Sequence, residues 1–197
     1  MKKIIIFIIS SILLSSCVSY KQENLNLNLS VNKKYFDLGG NDVIALMVVD
    51  DRIDKTLLGN KRVGEKSIDI RSKQNLVEVV RDKVVKDLER NSFLVEKSEK
   101  FGESTSTSKT LKVEIVTFHY NACREFFISN AKVDILLRMT AQNKAGEKYV
   151  TDKNFSLDRD HFIMPLISTD EKTINAALQE VLDTVFENQK LLEFLKS

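Results

Sequence analysis

The sequence predicts an α+β fold: a two-layer sandwich with a mainly antiparallel sheet and two amphipathic helices on one face. Three observations carry that prediction. Two long segments, 111–120 and 127–141, alternate apolar and polar residues with period two, as strands do in a sheet with one covered and one wetter face. Two others, 75–90 and 174–186, repeat apolar residues every three or four positions, as amphipathic helices do. Only one proline and six glycines, with 43% hydrophobic residues in 197, favour regular structure around a core over a disordered stalk.

At the amino end, Met1-Lys2-Lys3 supplies positive charge. An apolar run of roughly eleven residues ends at Leu14, right for a secretory signal and short of the ~20 residues that span a bilayer. Leu14-Ser15-Ser16-Cys17 follows, with Leu14 where an ordinary cleavage site has a small residue. This motif resembles the lipobox of bacterial lipoproteins. The resemblance implies cleavage before Cys17, which receives diacylglycerol through a thioether and an N-acyl chain. Two or three acyl chains hold a protein firmly on a leaflet, whereas one does so marginally. Val18 after the cysteine, rather than Asp, resembles the sorting signal for the outer membrane.

The expected organisation is therefore a signal peptide over 1–16, a lipidated N-terminus and polar tether over 17–41, and one periplasmic domain over 42–197. Fully extended, the tether reaches up to ~80 Å. Within it, Leu25, Leu27, Leu29 and Val31 alternate with Asn24, Asn26, Asn28 and Ser30. A strand packed on the domain and an Asn-rich linker both fit residues 24–31.

Residues 43–50 form a nearly continuous apolar run, a buried strand closed by Asp50-Asp51-Arg52-Ile53-Asp54. A loop with Gly59 and Gly64 leads to a partner strand over 67–71. The helix over 75–90 aligns Val77, Val80, Val84 and Leu88 and leaves Glu78, Arg81, Lys83, Lys86 and Glu89 outside that stripe. Asn91 is expected to take the left-handed cap. A short strand (93–96), a Ser/Thr loop (102–109), the two alternating strands and a turn at 144–147 lead to a further strand over 149–157. Ser168-Thr169-Asp170-Glu171 matches a capping box before a helix carrying Ile174, Ala177, Leu178, Val181, Leu182, Val185 and Phe186. Leu191, Leu192, Phe194 and Leu195 read as a last turn or two.

Loss of Lys2 and Lys3 with the signal leaves the basic residues equal to the 28 acidic ones, so the basic footprint of a nucleic-acid binder is absent. With Cys17 acylated, Cys123 is the single remaining thiol and no internal disulfide is available to an exported domain.

Asp50, Arg52 and Asp54 form a structural or binding cluster. Neighbouring strand residues point to opposite faces, so Arg52 paired with Asp50 or Asp54 to fix the loop is the first reading. His119 and His161, with Asp158, Asp160 and Cys123, offer zinc-ligand types without the tight paired spacing of zinc sites. No metal site and no catalytic residue is assigned. Cys123 as a nucleophile needs a base; His119 lies four residues before it, but Asn121 and Ala122 read as a turn between them. Residues 162–167 form the most apolar loop-like segment, either a contact for a partner or lipid, or a cover for the sheet.

Nearly the whole chain is similar to the YajG family of bacterial lipoproteins. The shared features are Cys17 ending the lipobox, the strand over 44–49 followed by Asp50-x-Arg52-x-Asp54, and the helix over 76–88 leading into Phe93-Leu94-Val95. Further on come Ala131-Lys132-Val133-Asp134-Ile135, the turn near Ala141-Gln142-Asn143, and the helix over 174–186 with Glu193-Phe194-Leu195 behind it. Ser92 stands where the family usually has Gly. The resemblance implies an outer-membrane lipoprotein and assigns no chemistry. The expected function is a non-enzymatic, lipid-anchored binding or accessory module facing the periplasm. Its partner is an envelope protein or lipid, and it has no cofactor beyond its acyl chains. An accessory lipoprotein of an envelope lipid-transport system is the alternative; a cell-wall hydrolase would need Asp50, Asp54, Asp158 and Asp160 to converge.

Overall fold

A computed structural model of the chain describes residues 22–32, 36–102, 109–125, 128–161 and 167–197, with the side chains of residues 125, 128, 160, 161, 167 and 168 outside that description. The signal segment, with Leu14, Ser15, Ser16 and Cys17, lies outside the described residues, as does most of the apolar segment 162–167. In chain order the elements are β1 (Gln22–Leu25), β2 (Val43–Asp50), β3 (Leu57–Val63), β4 (Lys66–Ser72), α1 (Leu76–Arg90), β5 (Leu94–Lys97), β6 (Lys109–Glu125), β7 (Ile128–Gln142), β8 (Lys148–His161), α2 (Ile167–Phe186) and α3 (Gln189–Lys196).

β6 is the spine of one eight-stranded sheet. Antiparallel β7 pairs along nearly its whole length, and β8 pairs with β7. The other edge of β6 is shared. β2 runs parallel to its first half, Ile44 opposite Lys109 through Asp50 opposite Ile115, and β3 runs parallel to its end, Gly59 opposite Tyr120 through Val63 opposite Arg124. β5 adds to β2 in parallel, antiparallel β4 adds to β3, and β1 adds to β4 in parallel. The sheet is thus mixed and forked, which corrects the expectation of a mainly antiparallel one. Alternation reports which face a residue takes but not which way its neighbour runs. Here the β3–β4 hairpin and α1 form the long crossover that parallel pairing of β2 with β5 requires.

A register shift between Ile115 and Thr117 keeps β6 apolar on one side. Without that bulge, Leu111, Val113 and Ile115 would face opposite to Phe118, Tyr120 and Ala122; with it, all six join one core. Ala131, Val133, Ile135, Leu137 and Met139 of β7 face the same way, as the alternation predicts. The opposite face of β6–β8 is polar, crossed by the Arg138–Asp152 and Lys132–Asp134 pairs. α1 packs on β2 and β5, and α2 on β7 and β8. The tail forms a third helix, α3, beyond the two expected; Leu191, Leu192 and Leu195 complete the core.

The domain begins earlier than residue 42. After β1, residues 26–32 run along α2 as an extended strap. The Asn26, Asn28 and Ser30 N–H groups donate to Glu171 Oε2 (3.0 Å), Asn175 Oδ1 (2.7 Å) and Gln179 Oε1 (2.8 Å). The Asn175 and Gln179 amides donate back to the Asn26 and Ser30 carbonyls, each at 3.0 Å. Helical positions four apart align with alternate residues of an extended chain, so side-chain amides replace a partner strand. Leu25 and Leu27 on the other side are buried in the core. Glu171 therefore serves the strap, and α2 already includes Ser168 in its first turn; the expected capping box is not the start of this helix.

Helix α1 starts where expected, with the Asn75 side chain accepting from Val77 N–H. Lys83, expected outside its buried stripe, lies within it. The ammonium donates to Asp87 Oδ2 at 2.5 Å and to Asp183 Oδ1 of α2 at 2.7 Å, which closes the two helices together. Burial holds the Asp87 carboxyl above its ordinary value despite the hydrogen bond from Lys83. At the end of α1, Ser92 and not Asn91 takes the left-handed conformation, with φ of 65°. Asn91 keeps φ of −88°, and its amide donates to the Asp87 carbonyl at 2.8 Å.

Candidate functional site at the fork of the sheet

Where the sheet forks, the edge of β6 between Ile115 and Tyr120 is paired with neither β2 nor β3. The connection 51–56 crosses this opening. Beneath it lies a notch of about 550 Å³ whose walls include Ile53, Leu57, Val116, Phe118 and His119. Gly59 sets the far side. With φ of 150°, its backbone approaches β6 so closely that a Cβ there would lie 1.8 Å from the Tyr120 carbonyl oxygen.

The loop is braced from within. Arg52 meets Asp50 in a bidentate pair, Nε to Oδ1 and Nη2 to Oδ2, both at 2.8 Å. Its remaining donors reach the Leu57 carbonyl (2.7 Å) and the Lys55 carbonyl (2.8 Å), and the guanidinium lies 5.7 Å from the centroid of the Phe118 ring. Asp54 Oδ1 accepts from the Thr56 hydroxyl (2.9 Å), the Thr56 N–H (3.0 Å) and the Leu57 N–H (3.1 Å), while Oδ2 meets Arg71 at 3.0 Å. The hydroxyl of Thr56, then these amides, hold the Asp54 carboxyl down at about 2.

The Asp50, Arg52 and Asp54 cluster is thus two devices. Arg52 pairs with Asp50, Asp54 pairs with Arg71, and the carboxylates do not converge. Ile53, between them, is fully exposed on a loop braced by the Arg52 and Asp54 side chains. Ile53 and the apolar wall of the notch together form the candidate contact surface of the described residues.

The other candidates are dispersed. His119 and Cys123 lie on one uninterrupted strand, because β6 continues through Asn121 and Ala122 and the expected turn is absent. Four residues along a strand separate them by about 13 Å, beyond proton-transfer reach. His119 sits opposite Asp134, Cys123 lies 3.2 Å from Arg62 Nη2, and Asp158 accepts from Asn130 at 3.2 Å. The Asp160 and His161 side chains lie outside the described residues. Among the described residues no three His, Cys, Asp or Glu side chains group as metal ligands, and no helix is long and apolar enough to cross a membrane.

One charged cluster was not anticipated. Asp170, in the first turn of α2, accepts from Tyr120 Oη (2.7 Å), Arg124 Nη2 (2.7 Å) and Lys61 Nζ (2.9 Å), and Lys61 also meets Glu23 of β1 at 2.6 Å. Lys61 and Asp170 are almost wholly buried. Burial, with Asp170 alongside, drives the Tyr120 hydroxyl far above its ordinary value. These residues come from four elements, and no local spacing signals their meeting.

The fold is similar to that of protein XCC0632 from Xanthomonas campestris, of the DUF330 family, with a TM-score of 0.56 at 12% identity over 87% of this chain and 95% of that one. A minor lipoprotein from Acinetobacter baumannii aligns with a TM-score of 0.41 at 8% identity, covering 79% of this chain and 92% of its own. No curated protein matches the sequence. Residues 30–196, which take in the fork, Asp170 with its partners Tyr120, Arg124 and Lys61, and all three helices, match the Lipoprotein_16 family, described as uncharacterized lipoprotein. The chain belongs to this YajG-like lipoprotein family.

Proposed function

We propose that the protein is a non-enzymatic outer-membrane lipoprotein. Its signal peptide is removed before Cys17, which is acylated, and its periplasm-facing domain binds an envelope protein through the fork notch. Ile53 carries this reading: it is fully exposed while its flanking polar residues are satisfied within the loop. Asp50, Arg52 and Asp54 beside it are engaged in bracing the loop, which supports a surface over acid–base work by these carboxylates. The same notch is within the size range of small-ligand pockets, and co-purified lipid bound there would favour the lipid-transport accessory instead.

A photo-crosslinking residue in place of Ile53, in intact cells, tests the proposal. It predicts a discrete envelope-protein adduct from position 53 that is absent when the probe replaces Val150, an exposed apolar residue on the outer face of β8. The same adducts from both positions, or none from 53, would remove the notch as a binding surface. The anchor is tested apart: Cys17→Ser should release the domain from membranes, and palmitate still incorporated by that variant would mean a different acylation site.

A further inference from the structure

If Cys17 carries the lipid, as proposed above, the distance from anchor to fold decides which end of the domain meets the membrane. Only residues 18–21 separate Cys17 from Gln22, the first residue of β1. Five chain steps span at most about 17 Å. β1 runs parallel to β4, from Gln22 opposite Asp69 to Leu25 opposite Ser72, so its amino end points toward Lys66 at the start of β4. That end of the sheet carries the β3–β4 turn, where Val63 pairs with Lys66 and Gly64 is left-handed with φ of 59°. By register it also carries the paired ends of β6 and β7, Glu125 opposite Ile128, and the end of β8 at His161. Val63, beside the turn, is 40% exposed. The turn at 144–147 and the Lys109 to Lys196 contact belong to the opposite end.

β1 is fastened where the anchor would pull on it. Glu23, one residue into the strand, meets buried Lys61, which Asp170 holds from α2. Peeling β1 away to lengthen the spacer would strand a buried ammonium with one carboxylate fewer and would unzip the strap behind it. The spacer stays short. At about 17 Å it is too short to admit a second protein domain, about 30 Å across, beneath this end.

We infer that the phospholipid surface itself is the partner of this end, and that the Val63–Lys66 turn stands against the leaflet. The long strands β6–β8 rise from it, and the fifteen residues of β7 place the far turn roughly 50 Å out. Phe118, seven residues before the end of β6, puts the notch about 24 Å above the lipid. The contact is end-on and set by the anchor: the turn presents Val63 with Arg62, Glu65 and Lys66 exposed beside it, a mixed surface rather than a basic patch.

The test uses the full acylated chain in vesicles of phosphatidylethanolamine and phosphatidylglycerol containing spin-labelled lipid. In a Cys123→Ser background, an environment-sensitive fluorophore is attached at Val63→Cys or, at the far end, at Lys144→Cys. The inference predicts several-fold stronger quenching at 63 than at 144. Inserting about twelve Gly/Ser residues before Gln22 should erase that difference while leaving the protein vesicle-bound. Equal quenching at both positions in the bound parent protein, or stronger quenching at 144, overturns the orientation; a difference that survives the insertion overturns the short spacer as its cause. Failure of the parent to sediment with vesicles overturns the anchor, and the orientation with it.

Discussion

Two charged clusters in this molecule use the same chemistry for different ends. Around Arg52, the partner carboxylate Asp50 is two residues away and the pair holds a surface loop. Around Asp170, the partners stand 109, 50 and 46 residues away in sequence and the cluster holds the fold. The local pair restrains a segment that is already close in sequence, so little loop-closure entropy is at stake. The distant cluster joins α2, β3, β6 and β1, and Lys61 and Asp170 at its centre are almost wholly buried, so each depends on its partners for compensation.

Breaking one member of each should separate them. Asp170→Asn leaves Lys61 and Arg124 without the carboxylate they share. We expect a loss of about 3–5 kcal/mol, read as a lower urea midpoint. Arg52→Met strips the almost wholly buried Asp50 carboxylate of its bidentate partner, but leaves it the Arg52 N–H, which donates to Oδ1 at 3.1 Å. The expected cost is about 2 kcal/mol, with amide exchange accelerated over residues 51–57 and little changed in β7. A loss as large as that of Asp170→Asn would mean that the loop is part of the structural lock.

Ser92→Gly acts outside both clusters and calibrates the scale. It relieves a left-handed serine but forfeits the hydrogen bond from the Ser92 hydroxyl to Asp37, for a net gain of less than about 1 kcal/mol in thermal or urea denaturation. The smallest effect is in the acid limb of the pH profile. The Asp54 carboxyl is lowered to about 2 in the fold, so its contribution is present above the ordinary carboxylate value and is lost as pH falls toward 2. Asp87 is raised and has the opposite sign, favouring the fold most at low pH and less as pH rises through its folded value. Urea denaturation from pH 5 to 2 should therefore show a shallower loss in Asp54→Asn and a steeper one in Asp87→Asn.

What the sequence disclosed follows the same divide between local and distant. β7 was legible because Val133, Ile135 and Leu137 alternate with residues that face water, and α1 because Val80, Val84 and Leu88 recur with a cap at Asn75. The brace of Arg52 was legible for the same reason, its partner lying within one turn of chain. β3 was not: it contains Gly59, needed for close approach to β6, and Lys61, which faces inward only because Glu23 and Asp170 meet it there. A strand with a buried lysine reads as polar. Lys83 misled in the same way, since its inward orientation depends on Asp183 of another helix. The strap was ambiguous because its partners are side chains of α2, about 145 residues on, and no pairing rule for strands anticipates them. Ile53 looked like an ordinary loop residue until its neighbours were seen to be engaged elsewhere.

If the local brace serves to present Ile53, the crosslink from position 53 should depend on Arg52. Comparing that crosslink with and without Arg52→Met, at a temperature where both proteins remain folded, separates presentation from stability. The adduct yield should fall to the background set by position 150 when the brace is removed. An unchanged yield from the unbraced loop would show that Ile53 makes its contact without the brace.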